Sequence, residues 1–165
     1  MRPKVLVAGI GNVFLGDDGF GVEVVKALED EVLPAWVQIA DYGVSGLHLA
    51  YDLLGGYDTT ILLDATPHGR EPGTLSLIEA DTEDLSAVPE IDAHGMRPEA
   101  VFTLLRMLGG DAGRVLVVGC EPRSVEPGMG LSADVAAAVP AAVRAVKELA
   151  WGTASRLPDD ERTEV

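Results

Sequence analysis

The chain has 165 residues, 47% of them hydrophobic, which favours one domain with a single sizeable core and excludes a disordered chain. Twelve Lys and Arg against 27 Asp and Glu leave a formal net charge of −15. Such a surface repels nucleic acid and anionic lipid and points to small molecules, cations or a protein partner. With one cysteine, Cys120, neither an intrachain disulfide nor a Cys-x-x-Cys metal site can form.

The opening MRPKVLVAGIGN is basic, but its apolar run breaks at Gly11-Asn12, short of signal length and with no small-residue cleavage site after it. No apolar run approaches the ~20 residues of a membrane span, so a cytoplasmic protein with no membrane or nucleic-acid partner is expected. KVLVAGI (Lys4 to Ile10) reads as a first strand. The loop GNVFLGDDG then leads into a helix whose stripe is Phe20, Val24, Val25 and Leu28, with Asp17 and Asp18 at its positive N-terminal end. VQIADY (Val37 to Tyr42) is a second strand, and Leu47 to Leu54 a short helix stopped by Gly55-Gly56.

TTILLDA (Thr59 to Ala65) and RVLVVGC (Arg114 to Cys120) are, like the first strand, nearly continuous apolar runs, the mark of strands buried on both faces. TLSLIEA (Thr74 to Ala80) alternates instead, as an edge strand does, with an antiparallel direction open to it. Pro98 opens a third helix, with Val101, Leu104, Leu105 and Leu108 facing inward until Gly109-Gly110. Ser132 caps a fourth, Ala/Val-rich helix to about Trp151, with a kink expected at Pro140. Strands alternating with helices predict a three-layer α/β sandwich over residues 1–151, followed by a frayed acidic tail, 152–165.

A strand, a Gly-rich loop and a helix commonly bind phosphate, but this loop does not fit one. Gly9 and Gly11 fill the first two places of G-x-G-x-x-G, whereas Phe14 stands in the third. No lysine lies between Lys4 and Lys26, and two aspartates sit where the anion would. In an open α/β sheet, ligands bind beyond the carboxyl ends of the strands. Asp17 and Asp18, Asp41, Asp64 and, before the third helix, His94 all fall at such positions. Clustered carboxylates need a cation or a retained proton, and an Asp/Asp/His set suits a divalent metal such as Ni, Zn or Mn with open positions for another ligand. Each residue also has a structural reading: a helix cap for Asp17, bonds to loop amides for Asp64, a capping or solvated position for His94. His48 and His68 read as solvated, and Cys120 as packing.

GIGNVFLGDDGFGVEVVKAL, ILLDAT…PGTLSLIE, AHGM and VLVVGCEPRSVEPGMGLS resemble, in order and spacing, the hydrogenase maturation endopeptidases, over about residues 4–150. The resemblance implies a three-layer α/β/α sandwich of the phosphorylase/hydrolase-like kind around a twisted, mostly parallel five-stranded sheet with one antiparallel strand. It implies an endopeptidase that removes the C-terminal extension of a [NiFe] hydrogenase large-subunit precursor after nickel insertion. The family's metal-binding acidic residue falls on Asp18, its strand-end aspartate on Asp64 and its histidine on His94, and the metal is nickel supplied by the substrate. Where the family often has D-G-G after the second strand, this chain has Asp41-Tyr42-Gly43, which places a substrate-specific difference near Tyr42.

Two chemistries are compatible with these residues. A metal held by Asp18, Asp64 and His94 polarises the scissile carbonyl or its water, or the metal only docks the precursor and Asp17 or Asp41 acts as general base. No H-E-x-x-H occurs, and around Ser45 the sequence GVSGL lacks the last glycine of a nucleophile elbow. The competing readings are a non-catalytic nickel-handling chaperone or adaptor of the same fold, and a related α/β hydrolase such as an aminoacyl-tRNA hydrolase, which the net charge disfavours. A monomer that engages its large partner transiently is expected.

Overall fold

The computed structural model describes residues 3–80 and 98–153. Five strands, β1 (Val5–Ile10), β2 (Val37–Gly43), β3 (Thr59–Ala65), β4 (Leu75–Ala80) and β5 (Arg114–Cys120), form one sheet in the order β2-β1-β3-β5-β4. All neighbours are parallel except β4, which lies antiparallel to β5 at the edge. The edge position expected of Thr74 to Ala80 is observed, but burial does not alternate along β4: Leu75 packs on the core while Leu77, on the same face, is exposed. β1, in the middle, is buried at every residue, as its unbroken apolar run requires.

Among the described residues four helices cover the sheet: α1 (Phe20–Leu28), α2 (Gly46–Leu53), α3 (Pro98–Met107) and α4 (Ala133–Gly152). Because successive strand residues face opposite ways, each strand feeds two cores. Val5, Val7, Ile61 and Leu63 pack with Phe20, Val24 and Leu28 of α1 and Val135 and Val146 of α4. Leu6, Ala8, Ile10 and Leu62 pack with Leu49 and Leu53 of α2 and Val101 and Leu105 of α3. This is the expected α/β/α sandwich. Within α3 the inward stripe differs from expectation, since Leu108, past the end of the helix, is half-exposed and Phe102 is buried.

Helix α1 approaches the sheet through two glycines. A Cβ on Gly21 would stand 2.1 Å from the Leu63 carbonyl oxygen, and one on Gly9 2.6 Å from the Gly21 oxygen. The close helix–sheet contact that a dinucleotide fingerprint obtains from its third glycine is thus made here by Gly21, seven positions beyond Phe14. At its other end, α4 continues through Gly152, and the Trp36 indole N–H donates to the Thr153 hydroxyl at 2.8 Å. Ordered contact therefore reaches slightly beyond the expected boundary at Trp151. Among the described residues, no helix is long and apolar enough to cross a membrane.

Candidate active site

The loop after β1 closes into a 3-10 turn (Gly16–Gly19) that lies against β3 and runs into α1. The turn brings two aspartates to the sheet's carboxyl end and gives them different tasks. Asp18 is half-buried, and its Oδ2 accepts the Asn12 N–H at 2.8 Å, which holds the carboxylate beside the last residues of β1. Gly11 leaves room for this: its φ is +132°, and a Cβ there would collide with the Asp18 carbonyl.

Asp17 points the other way and is only 1% exposed. Its Oδ1 accepts the Ser132 N–H at 2.7 Å, and its Oδ2 accepts the Ser132 hydroxyl at 2.8 Å and the backbone N–H groups of Arg123 and Ser124 at 2.8 and 3.2 Å. Burial pushes this carboxyl upward, but the bonds from Ser132, Arg123 and Ser124 outweigh it and hold the group below the usual carboxylate range. Two backbone bonds between the loops complete the tie, Gly16 N–H to the Gly128 carbonyl and Gly128 N–H to the Phe14 carbonyl, both 2.8 Å. Asp17 therefore fastens the Asp18 turn to the segment between β5 and α4.

That segment contributes a second buried carboxylate that sequence reading did not single out. Glu121, 6% exposed, accepts the Arg70 and His68 N–H groups on Oε1 at 2.9 and 2.8 Å. Those bonds, from Arg70 first, lower its pKa against the opposing effect of burial. The loop after β3 is thereby held to the end of β5. Ser132, expected to cap α4, makes no side-chain bond to that helix; its hydroxyl is given to Asp17 instead.

Asp64 lies on β3 one residue beyond Leu63, which is level with Gly9 of β1, and is half-buried. Alternation puts it on the face of Leu62, toward α2 and α3. Asp41 is level with Gly9 from the other side, but its parity is that of Val37 and Ile39, so it belongs to the opposite face. It is exposed, and its Oδ1 accepts the Gly43 N–H at 2.8 Å. The structure thus brings Asp18 and Asp64 to neighbouring strand ends and sets Asp41 across the sheet. His94 lies outside the described residues.

The fit to a metal follows from this donor set. Two carboxylates at adjacent strand ends attract a divalent cation, and with or without an imidazole they leave positions for ligands from elsewhere. Among the described residues, no three His, Cys, Asp or Glu donors come together.

Nearby groups lack the properties of nucleophiles. The Cys120 thiol is fully buried and pushed up to about 11, by burial first and then by the charges of Asp17 and Glu121, so it carries no thiolate at neutral pH. Tyr42 is the extra residue of a bulge between β2 and β1 and is turned into the core against α2. Its hydroxyl donates to Asp52 at 2.7 Å, and burial together with that carboxylate holds it far above its ordinary range. It does not line an open cleft. His48, exposed, rests edge-on against Tyr42 at 5.2 Å. The groove of about 780 Å³ between Lys4, Tyr57, Asp58 and Gly110 lies where the strands begin, at the far end from the aspartates.

The sequence profile of the hydrogenase maturation protease family matches residues 22–149. The hydrogenase 2 maturation protease of Escherichia coli K12 is 32% identical over 145 residues, 87% of this chain and 88% of that protein. The hydrogenase expression/formation protein HupD of Rhizobium leguminosarum bv. viciae is 34% identical over 157 residues, 92% and 77% of the two chains. Among solved structures, the hydrogenase maturating endopeptidase HybD from E. coli superposes with a TM-score of 0.74 at 33% identity, covering 88% of this chain and 90% of that one. The maturation protease HycI from Thermococcus kodakarensis has a TM-score of 0.72 at 23% identity and shares the fold. On these grounds, and with an acidic strand-end site where the fold places ligands, the chain belongs to the hydrogenase maturation protease family and is a peptide hydrolase.

Proposed function

We propose that this protease removes a C-terminal extension from a [NiFe] hydrogenase large-subunit precursor once nickel has been inserted, and that Asp18, Asp64 and His94 meet the nickel the precursor carries. The observation that carries this reading is that a turn clamped through Asp17 holds Asp18 beyond the end of β1, while Asp64 stands at the end of the neighbouring β3. A precursor that already ligates its nickel needs only a few donors from the protease, and two carboxylates with one imidazole supply them. Nickel held there supplies Lewis-acid polarisation close to the peptide bond. Hydrolysis breaks the C–N bond, joins the water oxygen to the carbonyl carbon and leaves a proton on the departing amine.

Of the other carboxylates, Asp17 has both oxygens occupied and fits a positioning role. Asp41 faces away from Asp64, which favours polarisation at the Asp18–Asp64 centre over a separate general base on Asp41. The test is the intact mass of the nickel-loaded precursor before and after incubation with the protein. Loss of a C-terminal peptide, dependent on nickel and abolished by Asp18→Asn, is the expected result. An unchanged mass in a stable complex would instead identify an adaptor, and wild-type cleavage by Asp18→Asn would remove the site assignment.

A further inference from the structure

Helix α2 is apolar on two sides. Leu49, Ala50 and Leu53 are buried against the sheet and α3. On one flank of that buried face Leu47, Tyr51 and Leu54 are 69%, 70% and 39% exposed, and Val44, ahead of the helix, is 56% exposed. The spacings of four and three residues between Leu47, Tyr51 and Leu54 place these three in one narrow stripe, with Val44 just ahead of the helix. A solvent-facing helix surface is ordinarily polar, and a contiguous apolar stripe of this kind marks an interaction surface.

The charges around the stripe define what it accepts. No Lys or Arg occurs between Lys26 and Arg70. Asp52, on the same helix, is the charged residue of α2, and it accepts the Tyr42 hydroxyl and lies 3.5 Å from His48. Lys4, at the far end, is engaged by the Gly55 carbonyl at 3.0 Å and the Tyr57 ring at 4.9 Å. A second copy of this chain would bring the same cation-free stretch and a second net charge of −15, and anionic lipid would be repelled likewise. An apolar segment bordered by Lys or Arg is the complementary occupant. The stripe also begins beside the candidate site: the Gly43 carbonyl, next to Val44, accepts the N–H of Gly11 at 2.8 Å.

We propose that the Leu47–Tyr51–Leu54 face of α2, with Val44 ahead of it, docks an apolar, Lys/Arg-bordered segment of the precursor, and so anchors its body while the tail lies across the strand ends. The partner's identity rests on the endopeptidase reading above. The experiment uses the full chain and its nickel-loaded precursor. Binding is measured by titration and cleavage by intact mass at varied precursor concentration, for wild type and for Leu47→Lys combined with Tyr51→Lys. Both side chains are mostly exposed, and circular dichroism checks that the variant folds.

The expected result is a Kd and KM raised by about tenfold or more with kcat within about twofold, together with wild-type binding that weakens as salt is added. Unchanged Kd and KM in the variant would overturn the docking surface while leaving the endopeptidase reading intact. Wild-type binding without cleavage would remove the endopeptidase reading alone, because Kd still tests the surface. Absence of wild-type binding would overturn both. Sedimentation showing a wild-type dimer that the variant converts to monomer would assign the stripe to a second copy.

Discussion

Ser132 gives both of its donors to Asp17, its backbone N–H to Oδ1 at 2.7 Å and its hydroxyl to Oδ2 at 2.8 Å. A serine at the start of a helix is ordinarily spent on that helix. Here it is spent on holding the turn that carries Asp18. Replacing Asp17 by Asn sets an amide N–H₂ among groups that are themselves donors and leaves at least one buried donor unmet. Stability should fall by about 1–3 kcal/mol, with Tm lower by roughly 2–4 °C for each kcal/mol in a chain of this size. Thermal denaturation measures the loss, and cleavage should fall with it because Asp18 moves with the turn.

The same bonds predict how the protein responds to acid. Asp17 and Glu121 both have folded-state pKa values below those of the unfolded chain, so in the acid range the unfolded state binds more protons. Their stabilisation is therefore complete above the unfolded carboxyl values of about 4 and is lost as pH falls through the lower folded values. Denaturant unfolding between neutral pH and strong acid should show this decline. Asp17→Asn and Glu121→Gln should each flatten it.

Asp18 and Asp64 should separate activity from folding. Asp18→Asn keeps the Oδ acceptor for the Asn12 N–H and removes the charge. Cleavage of the nickel-loaded precursor is expected to fall by roughly a hundredfold or more, since even residues that only support metal ligands cost 10–100-fold. Tm should stay close to wild type. A large drop in Tm with cleavage intact per folded molecule would reverse the assignment.

Gly21 is a position where one methyl group is too many. The Cβ of Gly21→Ala would lie 2.1 Å from the Leu63 oxygen and 2.6 Å from the Ile10 oxygen, and backbone cannot yield as a side-chain tip does. We expect a loss of about 1–3 kcal/mol or more from overpacking, readable in urea unfolding, with Asp18 shifted at the other end of the turn. Gly56→Ala, where a Cβ meets nothing within 4 Å although φ is +84°, separates backbone strain from collision.

Cys120 should be silent. A buried thiol held up near 11 resists alkylation at neutral pH, so iodoacetamide should leave the native mass unchanged. Cys120→Ala should cleave precursor at close to the wild-type kcat. Loss of activity on native alkylation would restore it as a nucleophile.

Much of the fold was legible because burial leaves a local signature. Ile61, Leu62 and Leu63 cannot all be apolar on a strand with a wet face, and the polar Ser76 and Glu79 among the apolar residues of β4 suit an edge. The placement of Asp18 and Asp64 at strand ends followed from the same runs. What was not legible depends on partners far away in sequence. Nothing local distinguishes Asp17, which is saturated by residues of another loop, from Asp18, its neighbour. Ser132 looks like a cap because capping is the local use of a serine there. Glu121 and Gly21 owe their roles to the loop after β3 and the carbonyl of Leu63, which pattern alone does not bring near. Asp41 and Asp64 looked equivalent until strand parity put them on opposite faces.

The clamp on Asp17 spans 106 to 115 residues of chain, and this sets an order of events during synthesis. β1, the turn and α1 emerge from the ribosome early, yet the donors that fix the turn arrive only with the residues between β5 and α4. Until then the turn has only its local bonds, among them Asp18 N–H to the Leu15 carbonyl and Asn12 N–H to Asp18 Oδ2. A chain ending before Arg123 therefore lacks every donor that holds the Asp17 carboxylate, and the clamp is complete only once Ser132 has been made.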